Sequence, residues 1–220
     1  MGKLNIKVCV LGMVSTNCYL VYREPEHAES EEPISAIVID PADKADYIVT
    51  QLKQLNAKVE AILLTHGHFD HILAANELRA LTGAPLYAGA GEKRLLGNPR
   101  LSGGPMGMMK EVVEPDRWLQ DEEEMELLGM TWKVMFTPGH TEGSVCYYVA
   151  EENVLFSGDT LFCRSFGRTD FPTGNTMELV KSITKKLFLL PDETSVCPGH
   201  EAMTSIGAEK KWNPIKRYAR

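Results

Sequence analysis

THGHFDHI, residues 65–72, follows directly on the apolar run Ala61-Ile62-Leu63-Leu64. It sets His66, His68, Asp70 and His71 in one short turn, which takes half of the six histidines of the chain. The apolar run reads as a buried strand over 59–65. The segment 71–83 reads as a helix with Ile72, Leu73, Ala75, Leu78 and Leu81 on its inner side, closed by Gly83. The polar cluster therefore sits where a strand hands over to a helix. Gly67 permits a sharp bend between His66 and His68, and residues two apart in an extended turn can point the same way. Asp70 and His71 are adjacent and project apart. The turn thus offers one pair of donors to one point and a second pair to another.

The same arrangement recurs at VMFTPGH (134–140), VLFSGD (154–159) and SVCPGH (195–200). In each, an apolar strand stops, a Gly or Pro makes the turn, and a His or Asp follows. Five of the six histidines lie in these segments; His27 sits in the charged, Pro-bounded stretch EPEHAESEEP (24–33), which reads as an exposed hairpin loop. Any one histidine is most simply a packed or surface residue. Five at equivalent strand ends, buried together, would carry desolvation costs with nothing to offset them. A metal offsets them, because neutral imidazole and carboxylate are the usual nitrogen and oxygen ligands of zinc and its neighbours. His66, His68, Asp70, His71, His140, Asp159 and His200 are the candidate ligands.

The rest of the chain frames this reading. Its 220 residues, 44% hydrophobic and 24% charged, have an ordinary globular balance, expected to form one unit over 1–220 from two α/β halves. Strands are expected at 6–12 and 18–23, separated by a turn at Ser15-Thr16-Asn17, then at 34–41 and 85–90. More follow at 125–128, 131–137, 144–150 and 153–157, with helices at 45–55, 175–191 and 206–213. That order favours sheets inside and helices outside. Between 91 and 117 no period holds, and LSGGPMGMMK (101–110) reads as a long loop, either a substrate flap or a surface insertion. A net charge of −7 without a basic stripe argues against nucleic acid as a partner. No apolar run of about 18 residues marks a membrane span. MGKLNIKVCV lacks the apolar core of a signal peptide, so a cytoplasmic location is expected. The five cysteines, odd in number and without a CxxC pair, read as free thiols.

HGHFDH, with TPGHTEGS (137–144), SGDTLF (157–162) and CPGH (197–200), resembles the metallo-β-lactamase superfamily. The resemblance runs from about Asn17-Cys18-Tyr19-Leu20-Val21 onward and includes Ile39-Asp40-Pro41. SFGRTDFPTG (165–174) and TSIGAEKKWNP (204–214) resemble the glyoxalase II-like hydroxyacylglutathione hydrolases, in a short version without their extra C-terminal helical domain. This implies an αββα four-layer sandwich with its metals at one rim. His66, His68 and His140 would hold one metal, Asp70, His71 and His200 a second, and Asp159 would bridge them. The cofactors implied are two divalent ions, zinc first, with iron and manganese as alternatives. The activity implied is hydrolysis of a thioester such as S-lactoylglutathione by a metal-bound hydroxide, which Asp70 would orient. The partner is then a small-molecule thioester or glutathione conjugate. A persulfide dioxygenase with a single iron shares a similar GRTDF segment and is the alternative, as is a lactonase or other acyl hydrolase. Arg168 reads either as a fork for a substrate carboxylate or as an internal partner of Asp170, the latter slightly favoured; Phe166 and Phe171 are candidate pocket walls. Oligomeric state stays open, a homo-oligomer included.

Overall fold

The central strands are apolar on successive residues, not alternate ones, and both of their faces are covered. The computed structural model describes residues 2–24, 32–103 and 107–218. His27 and the middle of the 24–33 segment lie outside the described residues, as do 104–106 within the 101–110 stretch. One sheet has the order β1 (Leu4–Leu11), β2 (Thr16–Arg23), β3 (Ile34–Ile39), β4 (Ala57–Leu64), β5 (Leu86–Gly89) and β6 (Arg117–Leu119). Its first two pairings are antiparallel and its last three parallel. The second sheet is built from β7 (Glu124–Leu127), β8 (Met130–Phe136), β9 (Val145–Val149), β10 (Val154–Gly158), β13 (Ser195–Pro198) and β14 (Thr204–Ser205), in the order β14-β13-β10-β9-β8-β7. Only β10 and β13 run parallel in it. β11 (Leu161–Phe162) and β12 (Ser165–Phe166) form a small separate hairpin. The helices are α1 (Ala45–Gln54), α2 (Phe69–Ile72), α3 (Ala75–Thr82), α4 (Lys93–Leu96), α5 (Pro99–Ser102), α6 (Thr176–Lys185) and α7 (Ile206–Trp212).

Strand alternation sorts the core into three slabs. Tyr19, Val21, Ile37, Ile39, Ala61 and Leu63 meet Trp132, Val134, Val145, Tyr147 and Phe156 between the sheets. Leu20, Val38, Ile62 and Leu64 face the other way, onto Ile48 and Leu52 of α1 and Leu78 of α3. Cys146, Tyr148, Leu155 and Val196 face outward from the second sheet onto Leu179 and Ile183 of α6 and Ile206 of α7. The layers are helix, sheet, sheet, helix, as expected. No helix among the described residues is long and apolar enough to cross a membrane.

Several sequence expectations need correction. The helix expected over 71–83 is two pieces, because Ala74 donates its N–H to the Pro41 carbonyl (3.0 Å) instead of continuing the ladder. Ile72, Ala75 and Leu78 are buried, but Leu73 and Leu81 are 38% and 53% exposed. Gly83 does close α3, in the left-handed region. Thr16 and Asn17 belong to β2, and the turn is made by residues 12–15. The 175–191 helix ends at Lys185 and gives way to a 3-10 turn at Leu187–Leu189. The aperiodic 91–117 stretch holds the four-residue helices α4 and α5, too short to leave a period.

Trp132 and Phe156 lie face to face at the centre of the inter-sheet slab, with ring centroids 5.6 Å apart and planes within 10°. Trp132 Nε1 donates to the Leu127 carbonyl at 3.0 Å, so the indole is both packed and satisfied. Phe156→Ala is expected to lower the unfolding free energy by about 3–5 kcal/mol, read by denaturant titration. A loss under about 1 kcal/mol would contradict this account of the core.

Candidate metal centre

β3, β4, β8, β10 and β13 all end at one rim, and each delivers a polar side chain there. β4 runs into the His66–His71 turn, β8 leads to His140, β10 to Asp159 and β13 to His200. Backbone bonds clasp the two sheets at that rim, Val145 N–H to the Thr65 carbonyl (2.8 Å) and Asn17 N–H to Gly199 (2.8 Å), while Gly199 N–H to Gly158 (2.8 Å) ties the ends of β13 and β10 within the second sheet. Gly199 has no space for a side chain, since a Cβ would sit 2.2 Å from Asp159 Oδ1 and 2.6 Å from His71 Cε1.

All seven candidate ligands converge. Three sets offer donor atoms within 4.8 Å of one another: His66, His68 and His140; His66, His71 and Asp159; Asp70, His71 and His200. Asp159 sits between the outer two sets. Its Oδ1 lies 3.3 Å from His71 Nε2, and its Oδ2 lies 3.5 Å from both His140 Nε2 and His200 Nε2. Asp70 Oδ2 is 3.2 Å from His200 Nε2 and 3.5 Å from His71 Nε2.

The far sides of the His66, His71 and His140 rings are tied down, which aims their other nitrogens inward. His140 Nδ1 donates to the Arg168 carbonyl at 2.7 Å. His71 Nδ1 lies 2.8 Å from Asp40 Oδ2, and His66 Nδ1 lies 3.1 Å from the Thr65 hydroxyl. Asp40 also accepts from the Thr65 N–H (2.7 Å) and hydroxyl (2.6 Å). His66 Nε2, His71 Nε2 and Asp159 Oδ1 are left buried without a hydrogen-bond partner; the last two are close but misaligned. Such orphans are rare and costly in a protein interior. Nitrogen and oxygen lone pairs facing one another around a small space are what a divalent cation satisfies, so the residues fit such an ion.

The protonation pattern divides the cluster. Burial pushes His66 and His140 below the ordinary imidazole range and His68 down to about 3, with His140 adding to the effect on His68. Burial acts in the same sense on His71 and His200, but the surrounding carboxylates win. Asp159, Asp70 and Asp40 hold His71 well above its usual value, and hydrogen bonds to Asp159 and Asp70 raise His200 to about 9. Burial opposes ionisation of Asp70 and Asp159, yet His71 and His200 outweigh it, leaving Asp70 at about 2 and Asp159 well below its usual value. One half is thus a trio of neutral imidazoles; the other is a cationic pair held by carboxylates.

The centre floors an open cleft of about 750 Å³, whose walls include Val14, Phe162, Phe166, Arg168 and Phe171. Arg168 donates from Nε and Nη2 to the two carboxylate oxygens of Asp170, both at 2.7 Å, and its guanidinium carbon lies 3.8 Å from the Phe171 ring centroid. The internal pair that the sequence allowed is therefore formed. Supporting residues with no role at the site assigned from sequence are Thr16, Asn17, Asp40 and Thr65, although Asn17 and Asp40 lie in segments that carry the resemblance. Thr16 donates to Asp70 Oδ2 (3.2 Å), and the Asn17 amide donates to the Pro198 (2.9 Å) and Glu201 (3.0 Å) carbonyls. Asp40 was within reach, since IVIDP is one more apolar strand ending on a carboxylate.

A family model for the metallo-beta-lactamase superfamily matches residues 11–200. The chain belongs to that superfamily. Among its relatives, the hydroxyacylglutathione hydrolase GloC of Haemophilus influenzae is 33% identical over 216 residues, covering 96% of this chain and 98% of that protein. The solved BLEG-1 B3 metallo-beta-lactamase superposes with a TM-score of 0.85 at 37% identity, over 96% of this chain and 99% of that one. TTHA1623, solved in a di-iron-bound form, superposes with a TM-score of 0.80 at 33% identity, over 95% and 99%.

A cation and a proton compete for the same imidazole lone pair. At pH 7 the His66, His68 and His140 rings are already neutral, whereas His71 and His200 carry protons. Zinc uptake by the metal-free protein at pH 7 is expected to release protons, and the affinity of the Asp70–His71–His200 group to climb as pH rises towards about 9. Calorimetry in buffers of different ionisation enthalpy measures the release; uptake of zinc with no proton loss would contradict this charge pattern.

Proposed function

We propose that the protein is a metal-dependent hydrolase of the hydroxyacylglutathione hydrolase type, cleaving a small thioester such as S-lactoylglutathione. The observation that carries this reading is the meeting of two ligand groups, one neutral and one carboxylate-linked, at Asp159 on the floor of an open cleft. His66, His68 and His140 would hold one cation, Asp70, His71 and His200 the other, with Asp159 shared. When bound, such a pair supplies Lewis acidity, lowering the pKa of water to about 7 and polarising an acyl oxygen. Zinc is the first candidate; the di-iron form of TTHA1623 supports iron as the alternative.

The chain's own groups do the positioning. Asp70, with a pKa of about 2, stays ionised at neutral pH. A carboxylate this weakly basic orients a water by accepting its hydrogen bond and does not store the proton. Thr16 and His200 hold its Oδ2 in place. A thiolate leaving group, with a thiol pKa near about 8–9, needs no dedicated acid. Phe166 and Phe171 offer flat apolar walls for the substrate. Arg168 stacks on Phe171 in that wall, and its guanidinium N–H groups not used by Asp170 are candidate donors to a substrate carboxylate. The match to GloC along nearly the whole of both chains supports the thioester class.

The test combines elemental analysis with thiol release from S-lactoylglutathione. Two cations per chain and turnover are expected. Asp70→Ala and His140→Ala are expected to lose nearly all turnover while remaining folded by circular dichroism. Full cation loading without hydrolysis of any thioester, or oxygen consumption with glutathione persulfide in its place, would overturn the assignment.

A further inference from the structure

Glu92 is a fully buried carboxyl that none of the steps above uses. It ends the 3-10 turn Ala90–Glu92 that follows β5, and it lies between two loops that are far apart in sequence. Its Oε2 accepts the Gly67 N–H at 3.0 Å, in the middle of the His66-Gly67-His68 bend. Its Oε1 accepts the Gly143 N–H at 3.1 Å and the Thr141 hydroxyl, just beyond His140. Thr141 in turn lies 2.6 Å from the Ser144 hydroxyl within the same loop. The backbones close in around this contact. A Cβ on Gly143 would come within 2.1 Å of the Gly91 carbonyl carbon, and one on Gly67 within 2.8 Å of Glu92 Oε2. Across this brace, His68 Nδ1 and His140 Nε2 stand 2.8 Å apart. Burying a carboxylate is expensive, and an apolar side chain would fill the same space at lower cost. What an apolar residue cannot do is accept from both loops at once.

We infer that Glu92 is a positioning residue for the first cation site, fixing the spacing between the His66–His68 bend and the His140 loop. It rests on the metal-centre reading above and adds a residue that touches none of the proposed ligands. It acts on one half of the centre only, since Asp70, His71 and His200 are held by Thr16, Asp40 and the Asn17-bound turn.

Glu92→Gln tests this with little change of shape. In either orientation of the amide, its NH2 faces one of the two backbone N–H groups, so one loop loses its acceptor. Zinc titration into metal-stripped protein is the measurement, with elemental analysis after dialysis. Wild type is expected to take two zinc ions. Glu92→Gln is expected to bind the first about tenfold or more weakly, the scale known for groups that support metal ligands, and the second unchanged. Combined with His68→Ala it should weaken binding no further; combined with His200→Ala the two losses should add. Leu95→Ala, at a buried position of the neighbouring α4, is the control for mere destabilisation: it should lower Tm and leave both affinities alone. If Glu92→Gln fails to fold, Thr141→Val, which removes only the hydroxyl contact, should shift the first site in the same direction. Unchanged affinities in the variant that folds, or parallel weakening of both sites, would overturn the inference and leave the metal reading intact. A wild type that binds no cation would sink both.

Discussion

Strands covered on both faces leave no place for a polar side chain along their length. This constraint governs the molecule. Tyr19, Ile37, Leu63 and Phe156 look into the slab between the sheets, Leu20, Val38 and Leu64 into a second and Leu155 into a third, so hydrophilic groups collect where the strands end. Stacking two such sheets, clasped by Val145 to Thr65 and Asn17 to Gly199, brings those ends together at one rim. The polar residues that end these strands are thus concentrated at the rim, and their lone pairs are left facing one another.

Burial and charge act on the cluster in opposite directions, and their balance sets its character. At His66 and His68, which neighbouring imidazoles oppose, and at His140 despite Asp159 and the Arg168 carbonyl, desolvation prevails and the rings stay neutral. At His71 and His200, each held by at least two carboxylates, attraction prevails. Members of one residue type thus stand in two charge states a few ångströms apart, set by the carboxylates around them.

Much of this was legible in the sequence because the signals were local. THGHFDHI, TPGH, SGD and CPGH each carry their turn residue beside the polar one, so all seven cluster members could be picked out without knowing how the strands pair. Less visible were residues whose role depends on a distant partner. Glu92 in AGAGEKRLL looks like any surface glutamate until Gly67 and Gly143 are placed around it. Thr16 and Asn17 resemble a turn, yet β2 extends through them because their groups are used by Asp70 and by the His200 loop. Leu73 and Leu81 fitted a helical stripe that the break at Ala74 rotates out of register. Arg168 offered two readings, the internal pair slightly favoured, and the structure places Asp170 in its fork.

The Asn17–Gly199 bond joins residues near opposite ends of the described chain. Synthesis delivers the HGHFDH turn long before His200, the histidine that lies beside Asp70 and His71. A nascent chain can thus expose imidazoles long before it can enclose an ion in the final geometry. The whole centre can therefore assemble only after His200 is made, however early its first residues emerge.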